Sequence, residues 1–170
     1  MPKLLVLGCA DTVWRDAEAA MQMAEFDAVL AVNHMIRDWP GRLDYAASLH
    51  PEHIEGWMKD RRGTESAPPA KWGHSGTRVR GLDGIIRDWG GSSGLFGCQI
   101  GMAEGFDRIV VAGVPLTSTP HYHAGYSFAA PQYRKGWKDH VEDIRPFVRS
   151  MSGWTKSLLG RPTKEWMEAC

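Results

Sequence analysis

The sequence predicts an α/β fold, a three-layer sandwich in which helices cover both faces of a mostly parallel sheet. Short apolar runs of strand length alternate along the chain with segments that repeat apolar residues at helical spacing. This alternation is typical of parallel sheets, because each parallel strand returns to the sheet through a crossover, usually a helix. The chain has 170 residues, a length that favours one domain and supports a core without disulfide or metal staples.

The first half of the chain predicts three strands, each an apolar run that ends near a polar residue or glycine, over 3–7, 26–32 and 43–49. An amphipathic helix is expected over 11–25, with Asp11 as its natural N-cap. A second helix is expected from His50 to Arg62, because Pro51 suits an early turn position where no amide hydrogen is needed.

The second half predicts two long loops, over 63–82 and 114–133, because neither segment shows a helical or strand period. Loops of this length are usually functional or mobile. Between the loops, we expect a short edge strand over 82–87, a helix over 95–105 and a buried, β-branched strand over 107–113. The remaining segments predict a helix over 133–144, a strand over 147–151 and short helices that begin near 152 and 162.

The composition argues against several kinds of partner. Twenty basic and 20 acidic residues give a formal net charge of zero, so the electrostatics indicate neither nucleic acid nor an anionic membrane surface. No apolar run approaches the ~20 residues that a membrane helix needs. The three cysteines, Cys9, Cys98 and Cys170, are widely spaced and fit neither a disulfide framework nor a zinc site, so a cytoplasmic location is expected. The oligomeric state, a homo-oligomer included, stays open.

The strongest functional signal is the glycine- and serine-rich turn over residues 90–94, which we call the anion turn. Ser92 and Ser93 are good N-cap residues for the following helix, and Gly91 and Gly94 allow close approach of a ligand to the backbone. Unpaired amides and the helix dipole make such a helix N-terminus favourable for an anion. The anion turn therefore predicts half of a nucleotide site.

The other candidate nucleotide contacts follow predicted strands. Parallel sheets bind ligands outside the carboxyl ends of their strands, at the point where the strand order reverses. The residues expected at that edge are Gly8, Asp11, Asn33, His50 and Gly113. Each polar one also has a purely structural interpretation, since helix capping explains Asp11 and turn formation explains Asn33 and His50.

His121 and His123 are the candidate catalytic residues. Histidine titrates near neutral pH, so either side chain could act as a base on an acceptor or as an acid on a leaving phosphate. No Cys, Asp or Glu lies beside them in sequence to complete a metal shell, so no metal site is predicted. The alternative is a pair of loop histidines without a catalytic role.

Several of these segments resemble a Rossmann-like superfamily. The similar residues are Ser92-Ser93-Gly94, Gly105-Phe106-Asp107-Arg108-Ile109, Val111-Ala112-Gly113 and the strand from Phe26 to Asn33. The superfamily includes the bacterial CMP-sialic-acid-dependent sialyltransferases and the MptE-like 6-hydroxymethylpterin diphosphokinases. The resemblance implies a Rossmann-like three-layer sandwich, with Asn33, Ser92, Ser93 and Gly94 as nucleotide contacts. It covers less than half of the chain.

The chain departs from this superfamily at two loops. Gly8-Cys9-Ala10-Asp11 stands where members often have a Gly-x-Gly-Pro-Ser type of loop. Gly113-Val114-Pro115 lacks the aspartate that some members carry near the corresponding glycine. These differences bear on the donor and the reaction more than on the fold.

Three functions follow from the sequence. The first is a transferase that binds a nucleotide or nucleotide-sugar donor, glycosyltransferase-like, with a glycosyl or phosphorus-containing group as the group transferred. The second is a Mg-dependent diphosphokinase of the MptE type, for which Asp11 with Asp83 or Asp88 are the candidate metal carboxylates. The third is a non-catalytic module that binds or sequesters a nucleotide.

Overall fold

A parallel sheet forms the centre of the protein. The computed structural model describes residues 1–64, 67–123 and 130–169, and within them the sheet has seven strands, all parallel, in the order β5-β4-β3-β2-β1-β6-β7. In chain order the strands are β1 (Lys3–Leu7), β2 (Ala28–Val32), β3 (Tyr45–Ala47), β4 (Ala70–His74), β5 (Gly84–Ile86), β6 (Arg108–Ala112) and β7 (Val148–Ser150). This is an α/β fold with a Rossmann-like strand order, as the sequence predicts.

Helices cover both faces of the sheet. They are α1 (Val13–Met23), α2 (Met35–Asp38), α3 (Ile54–Lys59), α4 (Ser93–Ala103), α5 (Arg134–Asp139), α6 (Val141–Ile144), α7 (Gly153–Leu159) and α8 (Lys164–Glu168). Along β1, Leu4 and Val6 pack in the core that contains α4, while Leu5 and Leu7 pack in the core that contains α1. Successive residues of this central strand are thus buried on opposite faces of the sheet, which explains why its sequence is continuously apolar. No helix in the described ranges is long and apolar enough to cross a lipid bilayer.

The order of the strands reverses between β1 and β6. From β1 the chain builds β2 to β5 outward to one edge of the sheet, and then returns through α4 to form β6 on the other side of β1. Helix α4 packs against β1, β2 and β6. Its N-terminus therefore lies at the carboxyl end of the central strands, and the expected edge strand that leads into the anion turn is confirmed as β5.

Two of the predicted elements are wrong, because the local sequence pattern does not indicate the secondary structure that forms there. Residues 63–82 are not one loop, since Ala70–His74 form β4, which pairs with β3 on one side and β5 on the other. The helix predicted over 133–144 is divided at His140 into α5 and α6, because His140 has a non-helical backbone with φ of −114°.

Two further differences concern the segments that leave β1 and β2. Asp11 does not cap α1; the N-cap is Thr12, which makes no side-chain capping bond, and Asp11 is exposed. Helix α2 was not predicted, because four residues are too few to show a helical period. Of the loop predicted over 114–133, residues 124–129 lie outside the described residues.

Candidate ligand-binding cleft

A cleft of about 160 Å³ opens at the carboxyl end of the sheet, beside the N-terminus of α4. Its walls are the residues that follow β1, β2, β3 and β6, together with the anion turn and one aromatic ring, namely Gly8, Cys9, Val32, Asn33, Leu49, His50, Gly91, Ser92, Ser93, Gly94, Gly113, Val114 and Tyr133. All the predicted nucleotide-binding residues except Asp11 line this cleft. The structure thus brings together residues that are far apart in sequence.

Asn33 is the polar centre of one wall. It follows β2 with a positive φ of 53°, a conformation that asparagine tolerates better than most residues. Its Oδ1 accepts a hydrogen bond from the Ser48 hydroxyl at 2.8 Å, and its Nδ2 donates to Ser93 Oγ at 3.2 Å. Ser48 Oγ also accepts a hydrogen bond from the His50 amide at 2.9 Å, which links Asn33 to the turn after β3. The Asn33 carbonyl oxygen thus faces Ser48, and the second Nδ2 hydrogen has no acceptor among the described residues.

The anion turn forms the opposite wall. Ser92 caps α4 as predicted, since its Oγ accepts a hydrogen bond from the Leu95 amide at 3.4 Å. First-turn amides of a helix lack intrahelical partners. Within the described parts of the chain, the amides of Ser93 and Gly94 have no acceptor. These amides and the α4 dipole together favour a negatively charged group.

Among the described residues, no Asp, Glu, Lys or Arg lines the cleft. Cys9, the remaining chemically reactive group near β1, is buried and its Sγ donates to the Val32 carbonyl at 3.3 Å. Burial raises the pKa of the Cys9 thiol to about 12, so the thiolate does not form at neutral pH. The cleft therefore offers dipoles and hydrogen-bond donors rather than ions.

A buried carboxylate that sequence reasoning missed supports the floor of the cleft. Asp16 on α1 is only 4 % exposed, and its Oδ2 accepts hydrogen bonds from the Gly113 amide at 3.1 Å and from the Ser152 hydroxyl. Gly113 has a φ of +70°, and a Cβ there would lie 2.5 Å from Val13 Cβ, so this position requires glycine. The signal in the sequence that could have identified Asp16 is an aspartate at a position on the apolar face of α1.

His121 and His123 do not line the cleft. A short antiparallel bridge between His121 and Ala10 fastens their segment to the end of β1, with Asp11 N bonded to the Pro120 carbonyl at 2.9 Å and Tyr122 N bonded to the Cys9 carbonyl at 3.0 Å. Their rings gather around His34, the residue after Asn33, with ring centroids 5.3 Å and 5.7 Å from it. We call His34, His121 and His123 the histidine cluster. It adjoins the cleft through Asn33.

Two members of the histidine cluster, His34 and His121, favour the neutral form. Burial lowers the pKa of His34 and of His121, and the positive charges of neighbouring histidines lower both further. Neutral imidazole is the form that accepts a proton. Among the described residues, no group of three or more His, Cys, Asp and Glu side chains has an arrangement that could hold a metal ion.

Of the three carboxylates considered for a diphosphokinase, Asp83 lies apart from Asp11 and Asp88. Asp83 precedes β5, so it lies at the amino end of the sheet, where its Oδ2 accepts from the Lys71 amide at 2.8 Å. Asp88 accepts from the Gly90 amide at 3.0 Å within the anion-turn region, and Asp11 lies outside the cleft. The predicted pairing of Asp11 with Asp83 is therefore wrong, because the two belong to opposite ends of the sheet.

The parallel sheet, the cleft at the reversal of strand order and the helix N-terminus beside it define an α/β protein with a Rossmann-like fold. Among solved structures, it is similar to the crystal structure of the sialyltransferase CST-II in complex with a trisaccharide acceptor and CMP. The TM-score is 0.58 at 10% sequence identity, over 95% of this chain and 87% of that chain. The likeness is one of fold, and at that level it confirms the predicted resemblance to bacterial sialyltransferases. No protein-family model and no curated protein matches this sequence.

Proposed function

We propose that this protein binds a nucleotide-sugar donor in the cleft and acts as a glycosyltransferase-like transferase. The observation that carries the proposal is a set of hydrogen-bond donors in the cleft that have no acceptor among the described residues. They include the amides of Ser93 and Gly94 and one amide hydrogen of Asn33. Such a set recognises oxygen atoms of phosphate and ribose. A sialyltransferase with the same fold was solved with CMP, which is a ligand of this chemistry.

The lack of charge in the wall favours a donor with a single phosphate. A helix N-terminus is equivalent to about half a positive charge, which suits the one negative charge of a phosphodiester. Diphosphates and triphosphates carry more charge and are ordinarily held by Lys, Arg or Mg²⁺. Neither Lys nor Arg lines the cleft in the described part of the chain. A Mg-dependent diphosphokinase is therefore the less favoured reaction for this site.

The size of the cleft indicates which part of the donor it holds. Pockets for drug-sized ligands usually measure roughly 300–1,000 Å³, whereas this cleft measures about 160 Å³. It accommodates the phosphate and ribose, while the transferred sugar extends past Asn33 toward the histidine cluster. In that position the imidazole of His121 or of His123 takes the proton from an acceptor hydroxyl. The acceptor oxygen then forms the new bond to the sugar carbon, and the nucleoside monophosphate leaves with the electrons of the broken carbon–oxygen bond.

Calorimetric titrations with CMP, CDP, UDP, ATP and cytidine test the proposal. We expect CMP to bind more tightly than cytidine and no less tightly than CDP, with no change when EDTA is added. Ser93→Leu would place a bulky side chain in the cleft and should abolish binding. Ser157→Leu, at an exposed position on α7, is the matched control and should bind as the wild type does. Failure of all the nucleotides to bind, or a Ser93→Leu variant with unchanged affinity, would refute the proposal.

A non-catalytic nucleotide-binding module is the second candidate, because the two predicted catalytic histidines lie outside the cleft wall. An assay for hydrolysis of a CMP-sugar that binds to the protein distinguishes the transferase from the non-catalytic module. Turnover that disappears in His121→Ala or His123→Ala supports the transferase. Binding without any turnover supports the module, and turnover that survives both substitutions removes the histidines from the mechanism.

A further inference from the structure

We propose that Trp137 is a positioning residue for the anion turn and makes the Ser92 hydroxyl an obligatory donor to a bound phosphate. This inference rests on the proposed function and adds a specific donor to it. Trp137 lies on α5, is completely buried, and its Nε1 donates a hydrogen bond to Ser92 Oγ at 3.1 Å. Ser92 itself lines the cleft and is 9 % exposed. The two residues join an element late in the chain to the N-cap of α4.

The argument depends on the hydrogen-bonding capacity of a hydroxyl, which is two accepted bonds and one donated bond. Ser92 Oγ accepts one bond from the Leu95 amide at 3.4 Å and the other from Trp137. Both lone pairs are therefore occupied. The Ser92 proton has no acceptor among the described residues. The third bonding direction of Ser92 Oγ is therefore that of its O–H donor. A ligand in the cleft consequently meets Ser92 as a donor and not as an acceptor.

The position of Trp137 is fixed by its neighbour. A Cβ on Gly136 would lie only 1.7 Å from the Gly90 carbonyl oxygen, so α5 packs directly against the backbone of the anion turn. This contact requires glycine at 136, since no side chain fits between the two backbones. Two adjacent residues of α5 thus hold the turn, one through packing and one through a hydrogen bond. The donor geometry is set before a ligand arrives, which is the condition for efficient electrostatic recognition.

Three donors then converge from consecutive residues, namely the Ser92 hydroxyl and the amides of Ser93 and Gly94. A tetrahedral oxyanion presents several acceptor oxygens and can engage all three. A neutral nucleoside has no such group, so the contribution of Trp137 should appear in phosphate-bearing ligands alone. Loss of one hydrogen bond to a charged group corresponds to about a tenfold loss of affinity.

The test compares Trp137→Phe and Ser92→Ala with the wild type, using CMP, cytidine and inorganic phosphate. Phenylalanine keeps an aromatic ring but removes the N–H donor. We expect Ser92→Ala to bind CMP about tenfold more weakly, because the donor is gone. Trp137→Phe should bind CMP more weakly by a smaller factor, because the Ser92 hydroxyl can still donate but its orientation is no longer fixed. Cytidine affinity should be unchanged in both. The double variant should be no weaker than Ser92→Ala, because both changes act through one hydroxyl. Trp166→Phe, which removes an indole on α8, is the control and should leave CMP affinity unchanged.

The outcomes separate this inference from the proposed function. Inorganic phosphate that shifts the Gly94 amide resonance at lower concentrations in the wild type than in Trp137→Phe supports the inference, even where no nucleotide binds. Nucleotide binding that is unaffected in a folded Trp137→Phe variant overturns the inference alone. If that variant does not fold, Ser92→Ala decides, and wild-type CMP affinity in it overturns the inference. A wild-type protein that binds neither phosphate nor nucleotide overturns both.

Discussion

The amide of Gly113 donates a hydrogen bond to Oδ2 of Asp16 at 3.1 Å, which joins the turn after β6 to α1 where the strand order reverses. The same oxygen accepts from the Ser152 hydroxyl in the turn after β7. A buried carboxylate is stable in such a position because it accepts several hydrogen bonds. One side chain thereby fixes two turns relative to α1, and Gly113 is part of the cleft wall.

Asp16→Ala should destabilise the protein by about 2 kcal/mol, because it leaves the buried Gly113 amide without an acceptor and removes the bond from the Ser152 hydroxyl. Asp16→Asn retains one oxygen and should lose less. Asp11→Ala, at an exposed aspartate five residues earlier, should change the free energy of unfolding by less than about 0.5 kcal/mol. Urea denaturation measures all three. An Asp16→Ala variant as stable as Asp11→Ala would contradict the structural role given to this carboxylate.

Gly136→Ala should destabilise the protein and distort the anion turn, since the new methyl group would overlap the Gly90 carbonyl oxygen. Overpacking of this kind costs about 1–3 kcal/mol. The control is Gly56→Ala on α3, where an added Cβ would meet nothing within 4 Å. That substitution should raise stability by about 0.5–1 kcal/mol, because alanine favours helix over glycine. Thermal unfolding compares the two, and equal effects would show that α5 does not press on the turn.

The parts of the fold with strong local signals could be predicted from the sequence. The apolar runs of β1, β2 and β6 indicated buried parallel strands, and Ser92 marked the start of α4. The carboxyl ends of those strands then placed Gly8, Asn33 and Gly113 at one edge. Each step used neighbouring residues and one general rule about parallel sheets.

The parts that depend on partners distant in sequence could not be predicted. Strand β4 has no alternating pattern and exists because β3 and β5 flank it. The bond from Trp137 to Ser92 and the bond from Gly113 to Asp16 join segments that only the completed fold brings together. His34 was overlooked for the same reason, because its neighbours His121 and His123 arrive on a different segment.

Cys9 and Cys98 should resist thiol reagents in the native state. Both are buried, and burial raises the pKa of each thiol, that of Cys9 to about 12. Because the thiolate is the reactive form, neither should be modified at pH 8 while the fold is intact. A Cys170→Ser variant leaves these two as the only thiols. Titration with a disulfide reagent should then give no fast phase before denaturant is added and two equivalents after it. A fast native phase would contradict the burial of Cys9 or Cys98.

Acidification below pH 6.5 should weaken the attachment of residues 120–123 to the end of β1. The pKa values of His34 and His121 are lower in the fold than their ordinary value of 6.5, mainly through burial. Between the lowered pKa and 6.5 the unfolded chain binds more protons, so the stability from these histidines is complete above pH 6.5 and is lost as the pH falls. The carboxylate of Asp38 opposes the loss, since its charge raises both pKa values.

Unfolding free energies and amide hydrogen exchange between pH 7.5 and 5.5 measure the effect of the histidine cluster. We expect stability to fall and exchange of the Tyr122 amide, which bonds to the Cys9 carbonyl at 3.0 Å, to accelerate as the cluster becomes charged. His34→Phe keeps an aromatic ring in the cluster but removes one titrating group. The free energy of unfolding of this variant should therefore depend less steeply on pH. His53→Phe, at an exposed position outside the cluster, should keep the wild-type dependence. If His34→Phe and His53→Phe give the same slope as the wild type, protonation of this cluster does not govern the attachment.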